Sequence, residues 1–220
     1  MNILVFAPHN DDEVLGVGGT IRKAVNQGHS VYVCEATSGK HFVLLQQEAR
    51  KAHTVLGVRQ SYFLNLPVGG LRNMNQMDLN AKVSAVVRET SPEVVYIPFI
   101  GDMHFDHREL TESAMVALRP IGTCPVREIY MYETLSETGW NLPSGERAFI
   151  PNVWIDISDT IEDKLRAMKC YESQLLDYPH PRSEEAIRSL AKYRGSTVGV
   201  PYAESFMLVR KIDRSSSPSF

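Results

Sequence analysis

The chain has 220 residues, 43% of them hydrophobic, and a formal charge of −3. That is enough for one substantial core, while the mixing of acids and bases, without a basic stripe or an acidic tail, speaks against a nucleic-acid partner and against extended disorder. The apolar run at residues 3–7 is too short for a signal peptide or a membrane span, and Cys34, Cys124 and Cys170 form no CxxC pair or disulfide framework, so a reducing cytoplasm is the expected setting.

Residues 2–7 are rich in Ile, Val and Phe and read as a buried strand. Gly16, Gly18 and Gly19 then lead into a helical stretch at 20–27, stopped by Gly28. A second strand is expected at 30–36, a helix at 42–56 and a third strand at 61–66. A helix at 79–89, a fourth strand at 94–99 and a helix at 108–118 follow. This alternation implies an α/β, Rossmann-like, three-layer domain: a mostly parallel sheet with helices on both faces. The C-terminal half is less regular, with strands expected at 128–132 and 153–157. Asp159 with Glu162 resembles a capping box and predicts a helix running to residue 176, ahead of the breakers Pro179 and Pro181. A helix at 184–193 and a strand at 205–210 complete a single domain over 1–212, and the Ser-rich stretch 213–220 reads as a flexible tail.

The chemistry-bearing segment is Pro8-His9-Asn10-Asp11-Asp12-Glu13, directly after the first strand. In open α/β sheets, sites form at the carboxyl ends of the strands. A histidine and three acids crowded there are costly unless something positive neutralises them, and a divalent metal would do so. An acidic turn capping the following helix is the plainer alternative. A second cluster, Asp102-Met103-His104-Phe105-Asp106-His107, follows the fourth strand at the same end of the sheet. His9, Asp12 and His107 could then supply two nitrogens and one oxygen and leave positions for water, the pattern of catalytic rather than structural zinc. Two histidines and a carboxylate also describe the facial triad of non-haem iron oxygenases, but the close His-x-Asp pair of that site is missing. The run Gly16-Val17-Gly18-Gly19 lacks GxGxxG spacing and a Walker lysine, so it reads as close helix–strand packing rather than a phosphate cradle.

These motifs resemble those of the PIG-L (LmbE-like) N-deacetylases. Residues 8–13 are similar to the family's PHPDDE signature and residues 102–107 to its DxHxDH motif. Tyr171-Glu172-Ser173-Gln174 looks like its Y-x-S-Q segment, and Arg194-Gly195, Gly199 and Tyr202-Ala203-Glu204 resemble its C-terminal motif. Asn10 replaces the usual proline, Phe105 stands where proline or glutamine is frequent, and Leu45 stands where many members carry arginine.

The resemblance implies roles for individual residues. His9, Asp12 and His107 would bind one Zn2+ per chain, with Fe2+ or Co2+ as substitutes. Asp11 would be the general base, and His104, if protonated, would stabilise the oxyanion. Asp106 would orient a histidine by accepting a ring N–H. Candidate substrate contacts are Glu133, Trp140, His180, Arg194 and Tyr202. The implied reaction is removal of an N-acetyl group from a small-molecule amino sugar. The alternatives are a zinc amidase acting on a non-sugar amide or thiol conjugate, and a metal-binding protein without activity. The second is disfavoured because both ligands and base are present. The resemblance further suggests a homo-oligomer, trimer or hexamer, with no membrane or nucleic-acid partner.

Overall fold

Strand β1 (Asn2–Ala7) shows how the layers arise. Its side chains alternate, so Ile3 and Val5 enter one core while Leu4 and Phe6 enter another on the opposite face. In the computed structural model, which describes residues 1–122, 124–142 and 144–213, six more strands join it. They are β2 (Ser30–Ser38), β3 (Gln60–Pro67), β4 (Val94–Pro98), β5 (Glu128–Tyr132), β6 (Val153–Asp156) and β7 (Ala203–Lys211), in the order β3-β2-β1-β4-β5-β7-β6. β1 to β5 pair in parallel; β7 runs antiparallel to both β5 and β6. The expected α/β class holds, with two antiparallel pairings confined to one edge.

The first core is closed by α1 (Asp12–Asn26), α2 (Phe42–Leu56), α5 (Ile161–Lys169) and α6 (Glu184–Ser196). The second is closed by α3 (Gln76–Thr90) and α4 (Phe105–Ala117). From β1 the chain moves outward to β3 and then returns to β4 on the other flank of β1. That reversal opens a crevice at the carboxyl ends of β1 and β4, the usual place for a ligand in such sheets. No helix among the described residues is long and apolar enough to cross a membrane.

Two expected elements differ. Helix α1 begins at Asp12 rather than residue 20 and runs through all three glycines. Glycine is a poor helix former, which hid those turns, but packing requires it. A Cβ on Gly16 would run into the Tyr132 ring, and one on Gly19 would lie 2.8 Å from Ile157. The helix expected to reach residue 176 stops at Lys169, and no side-chain capping box forms. Thr160 takes the N-cap position and sends its hydroxyl to the Gly19 carbonyl instead, at 2.9 Å. Beyond the helix, Tyr171 is fully buried, with its hydroxyl on Glu13. Of the expected tail, residues 214–220 lie outside the described residues.

Candidate metal centre and active-site pocket

The loop from β1 to α1 carries His9, and Asp12 is the first residue of α1. Asp12 Oδ2 accepts from the His9 backbone N–H at 2.9 Å, which folds the loop back onto the helix end. His104 is the N-cap of α4, and Asp106 and His107 lie in its first turn. Because β1 and β4 are neighbours, the two loops meet. His9 Nδ1 lies 3.3 Å and His107 Nε2 3.2 Å from Asp12 Oδ2, and donor atoms of the three residues lie within 4.8 Å of one another. His9, His104 and Asp106 form a second, overlapping group.

Each histidine is held from behind. His107 Nδ1 is 2.8 Å from Asp102 Oδ2, and Asp102 Oδ1 accepts from the Thr138 hydroxyl at 2.6 Å. His9 Nε2 is 3.2 Å from Asp106 Oδ2, and Asp106 also accepts from the Gly69 and Leu71 backbone N–H groups. Both rings can therefore give one N–H to a carboxylate and turn the other nitrogen toward Asp12. This carboxylate–histidine arrangement fixes tautomer and orientation at metal sites.

Fit to a cation is supported by an orphaned atom. His107 Nε2 is buried and close to Asp12, yet it makes no hydrogen bond. Buried polar atoms without partners are uncommon. Two imidazoles and one carboxylate are also a donor set that suits a borderline divalent ion. The electrostatics agree. Burial opposes charge on His107, but Asp12 and Asp102 outweigh it and lift its pKa to about 10. His9 behaves alike: burial opposes the charge, and hydrogen bonds to Asp106 and Asp12 raise its pKa to about 9. Asp12, despite burial, is held well below its ordinary range by the two histidines. The cluster thus attracts positive charge, which protons or a metal ion can supply.

Asp11 sits apart in role and in backbone. Its φ of 115° lies in the left-handed region, unusual for a residue with a side chain and a form of strain found at functional sites. The strain is held by its neighbours: its N–H lies 3.3 Å from Glu13 Oε2, and its carbonyl accepts from Val14 and Leu15. Burial and the adjacent Asp12 push its carboxyl pKa well above the ordinary value, while Arg182, 3.4 Å away, pulls it back. His9, Asn10, Asp11, Thr37, Leu45, His104, Glu137, Gln174 and Arg182 are among the residues lining a cavity of about 300 Å³.

The PIG-L family model, described as GlcNAc-PI de-N-acetylase, matches residues 4–118, which include both histidine-bearing loops. The chain belongs to the PIG-L family. The diacetylchitobiose deacetylase of Thermococcus kodakarensis is 27% identical over 224 aligned positions, covering 94% of this chain and 82% of that protein. The conserved protein TT1542 of Thermus thermophilus superposes with a TM-score of 0.78 at 26% identity, covering 99% of each chain. The N,N'-diacetylchitobiose deacetylase of Pyrococcus horikoshii, at 22% identity, has the same fold: its TM-score is 0.77, with 99% of this chain and 86% of that one covered.

In this PIG-L chain the candidate substrate residues do not gather at the histidines. Glu133, Trp140 and Arg194 line a different and larger cavity of about 450 Å³. There Glu133 holds Arg194 through two hydrogen bonds of 2.8 and 2.7 Å, so both charges are already matched. Trp140 is 55% exposed and meets the His180 ring edge-on. His180 lines neither cavity, and its Nδ1 accepts from the Arg182 N–H. Tyr202 also lines neither; it packs under the Arg188 guanidinium and against the first core. The two cavities share walls, because Glu137 and Arg182 face one while Thr138 and Pro181 face the other.

His104 differs from expectation in charge. Burial and the neighbouring His9 lower its pKa, so it is neutral at ordinary pH. Its Nδ1 accepts the Asp106 backbone N–H at 3.1 Å, which leaves the proton of the neutral ring on Nε2. Asp102 carried no assigned role in the sequence reading, although it opens the same motif five residues before His107. Glu137 escaped altogether, since nothing in Leu135-Ser136-Glu137-Thr138 distinguishes it from a surface loop.

Proposed function

We propose that the chain is a metal-dependent hydrolase that removes the acetyl group from the nitrogen of an N-acetylated amino sugar, giving acetate and a free amine. The observation that carries this reading is the convergence of His9, Asp12 and His107 beside Asp11, on one cavity at the β1–β4 crevice. The deacetylase named among the relatives acts on an N-acetylated sugar, diacetylchitobiose.

The ligand atoms are assigned as His9 Nδ1, an Asp12 oxygen and His107 Nε2, with zinc as the ion. Such an ion polarises the acetyl carbonyl and brings the pKa of its water to about 7. Asp102 and Asp106 keep His107 and His9 in the ligating tautomers. Asp11 takes the proton of the attacking water and returns it to the departing nitrogen. Its raised pKa suits a group that both accepts and donates a proton near neutrality. Arg182 keeps the Asp11 carboxylate facing the cavity. His104, as a neutral Nε2–H donor, steadies the oxyanion without a change of charge.

The test is acetate release from a panel of N-acetylglucosaminides and non-sugar acetamides, with and without chelator, beside elemental analysis. Chelator-sensitive acetate release restricted to the sugars supports the reading. Turnover restricted to non-sugar amides, or purified protein without a stoichiometric divalent metal, overturns it.

A further inference from the structure

Among the described residues, Glu137 is the one carboxylate of the pocket with an unmatched oxygen. Asp11 has Arg182, and Asp12 has the His9 N–H. Asp102 has His107 and Thr138, and Asp106 has the Gly69 and Leu71 N–H groups. Glu137 Oε2 is buried and has no hydrogen-bond partner. A buried acceptor left without a donor costs stability, so such atoms in native proteins call for an explanation.

Its position is built rather than incidental. The Glu137 N–H donates to the Thr134 carbonyl at 3.1 Å, closing a turn. Next to it, Thr138 receives the Thr134 N–H at 2.9 Å and gives its own hydroxyl proton to Asp102 at 2.6 Å. The turn bearing Glu137 is thereby pinned to the same aspartate that holds His107. The charges that act on Glu137 are those of His107, Asp12, His9 and Asp102, and burial is the largest influence, raising its pKa. Yet Glu137 belongs to none of the groups of donor atoms clustered within 4.8 Å. It stands beside the candidate metal ligands and outside their compact set, on the wall of the cavity that also holds Asp11 and His104.

The same cavity contains the complementary defect. Arg182 lines it, and Arg182 Nε is buried without an acceptor, although Nη1 serves Asp11 and Gln174. One acceptor lacking a donor and one donor lacking an acceptor match a ligand whose groups do both. Hydroxyls do both, and a sugar ring carries several. We propose that Glu137 is a substrate-contacting, specificity-determining residue: its Oε2 receives a hydrogen bond from a donor that the amino sugar carries next to the acetamido carbonyl. That donor is a ring hydroxyl or the acetamido N–H itself. The proposal rests on the deacetylase reading above.

The experiment uses the metal-loaded full chain, the methyl glycoside of N-acetylglucosamine, its monodeoxy analogues and the matching free amine. Glu137→Gln and Glu137→Ala are expected to keep full metal content and to raise KM by about 10- to 100-fold, with a smaller change in kcat, the worth of one hydrogen bond to a charged group. If a hydroxyl is the donor, one deoxy analogue loses its disadvantage in the Glu137→Ala enzyme. If the nitrogen is the donor, no analogue changes rank and calorimetric affinity for the free amine falls instead. Should both variants fold poorly, Glu137→Asp, which keeps the charge but shortens its reach, is expected to show the same KM effect in weaker form. Loss of metal in folded Glu137→Ala, or unchanged KM together with unchanged amine affinity, overturns the proposal while wild-type turnover leaves the deacetylase reading standing. Absence of acetate release by the wild type overturns that reading and this proposal with it.

Discussion

His9, Asp12 and His107 bring donor atoms within 4.8 Å of one another, and so do Glu13, Glu35 and His53. Both clusters are made of histidine and carboxylate, and they abut in the chain at Asp12 and Glu13. The second is sealed. Tyr171 donates to Glu13 at 2.6 Å and lies 3.2 Å from Glu35. His53 contacts Glu13 through Nε2 and Ser61 through Nδ1, and Asn10 donates to Glu35. In the first cluster, by contrast, His107 Nε2 is orphaned, and His9 opens on a cavity. Residue type and spacing therefore do not separate a metal centre from a buried polar brace. Unmet hydrogen-bonding capacity and access do. The sealed cluster has its own task, since Asn10 and Glu13 grip the two sides of the strained Asp11.

The sharpest way to test this division is to change charge without shape. Asp11→Asn is expected to keep its metal and to lose about two to four orders of magnitude in kcat, the usual contribution of a general base. Steady-state kinetics with metal analysis on the same samples check it. A folded Asp11→Asn protein that has lost its metal would move Asp11 into the ligand set. Next in size is Asp102→Asn, which weakens the support of His107. Metal affinity is expected to drop by about 10- to 100-fold, as for other outer partners of metal-bound histidines, and competition titration with a chromophoric chelator reads it.

Proton competition distinguishes the clusters in a third way. In the metal-free protein His9 and His107 hold protons up to a pKa of about 9 and about 10. A raised histidine pKa stabilises the metal-free fold below the unfolded value of about 6.5, and that contribution is lost as pH climbs through the folded values. Metal must displace these protons. Uptake is therefore expected to release protons and to strengthen as pH rises from about 7 toward 9, read by calorimetry in buffers of different ionisation enthalpy. Uptake without proton release would remove the two imidazoles from the ligand set.

Much of this architecture is legible in the chain. The helix expected at 42–56 is α2 to the residue, because its apolar periodicity and the left-handed Gly57 mark both the face and the end. His9, Asp12 and His107 could be linked in advance because each follows a buried strand, and neighbouring parallel strands deliver their loops to one end. What stayed hidden depends on contacts between distant segments. Gly16 and Gly19 are explained by Tyr132 and Ile157, far along the chain. Glu35 looks like an ordinary strand residue until β2 places it opposite Ala7. Trp140 and Arg194 have the chemistry of sugar contacts, but the loop carrying Trp140 turns to the neighbouring cavity.

The smallest expected effect bears on the sealed cluster. Tyr171→Phe removes one oxygen from a fully buried ring and leaves the ring in place, so packing is largely preserved. Glu13 loses its shortest hydrogen bond and Glu35 a neighbouring hydroxyl, in a site closed to replacement water. Leaving buried acceptors unmatched costs about 1 to 3 kcal/mol, so the melting temperature should fall. Metal stoichiometry and affinity should stay at wild-type values, because the hydroxyl touches none of His9, Asp12 or His107. The decisive pattern is a lower melting temperature with unchanged metal binding. An unchanged melting temperature with weakened metal binding would instead make Glu13, Glu35 and His53 part of the metal centre, and the two clusters would have to be treated as one.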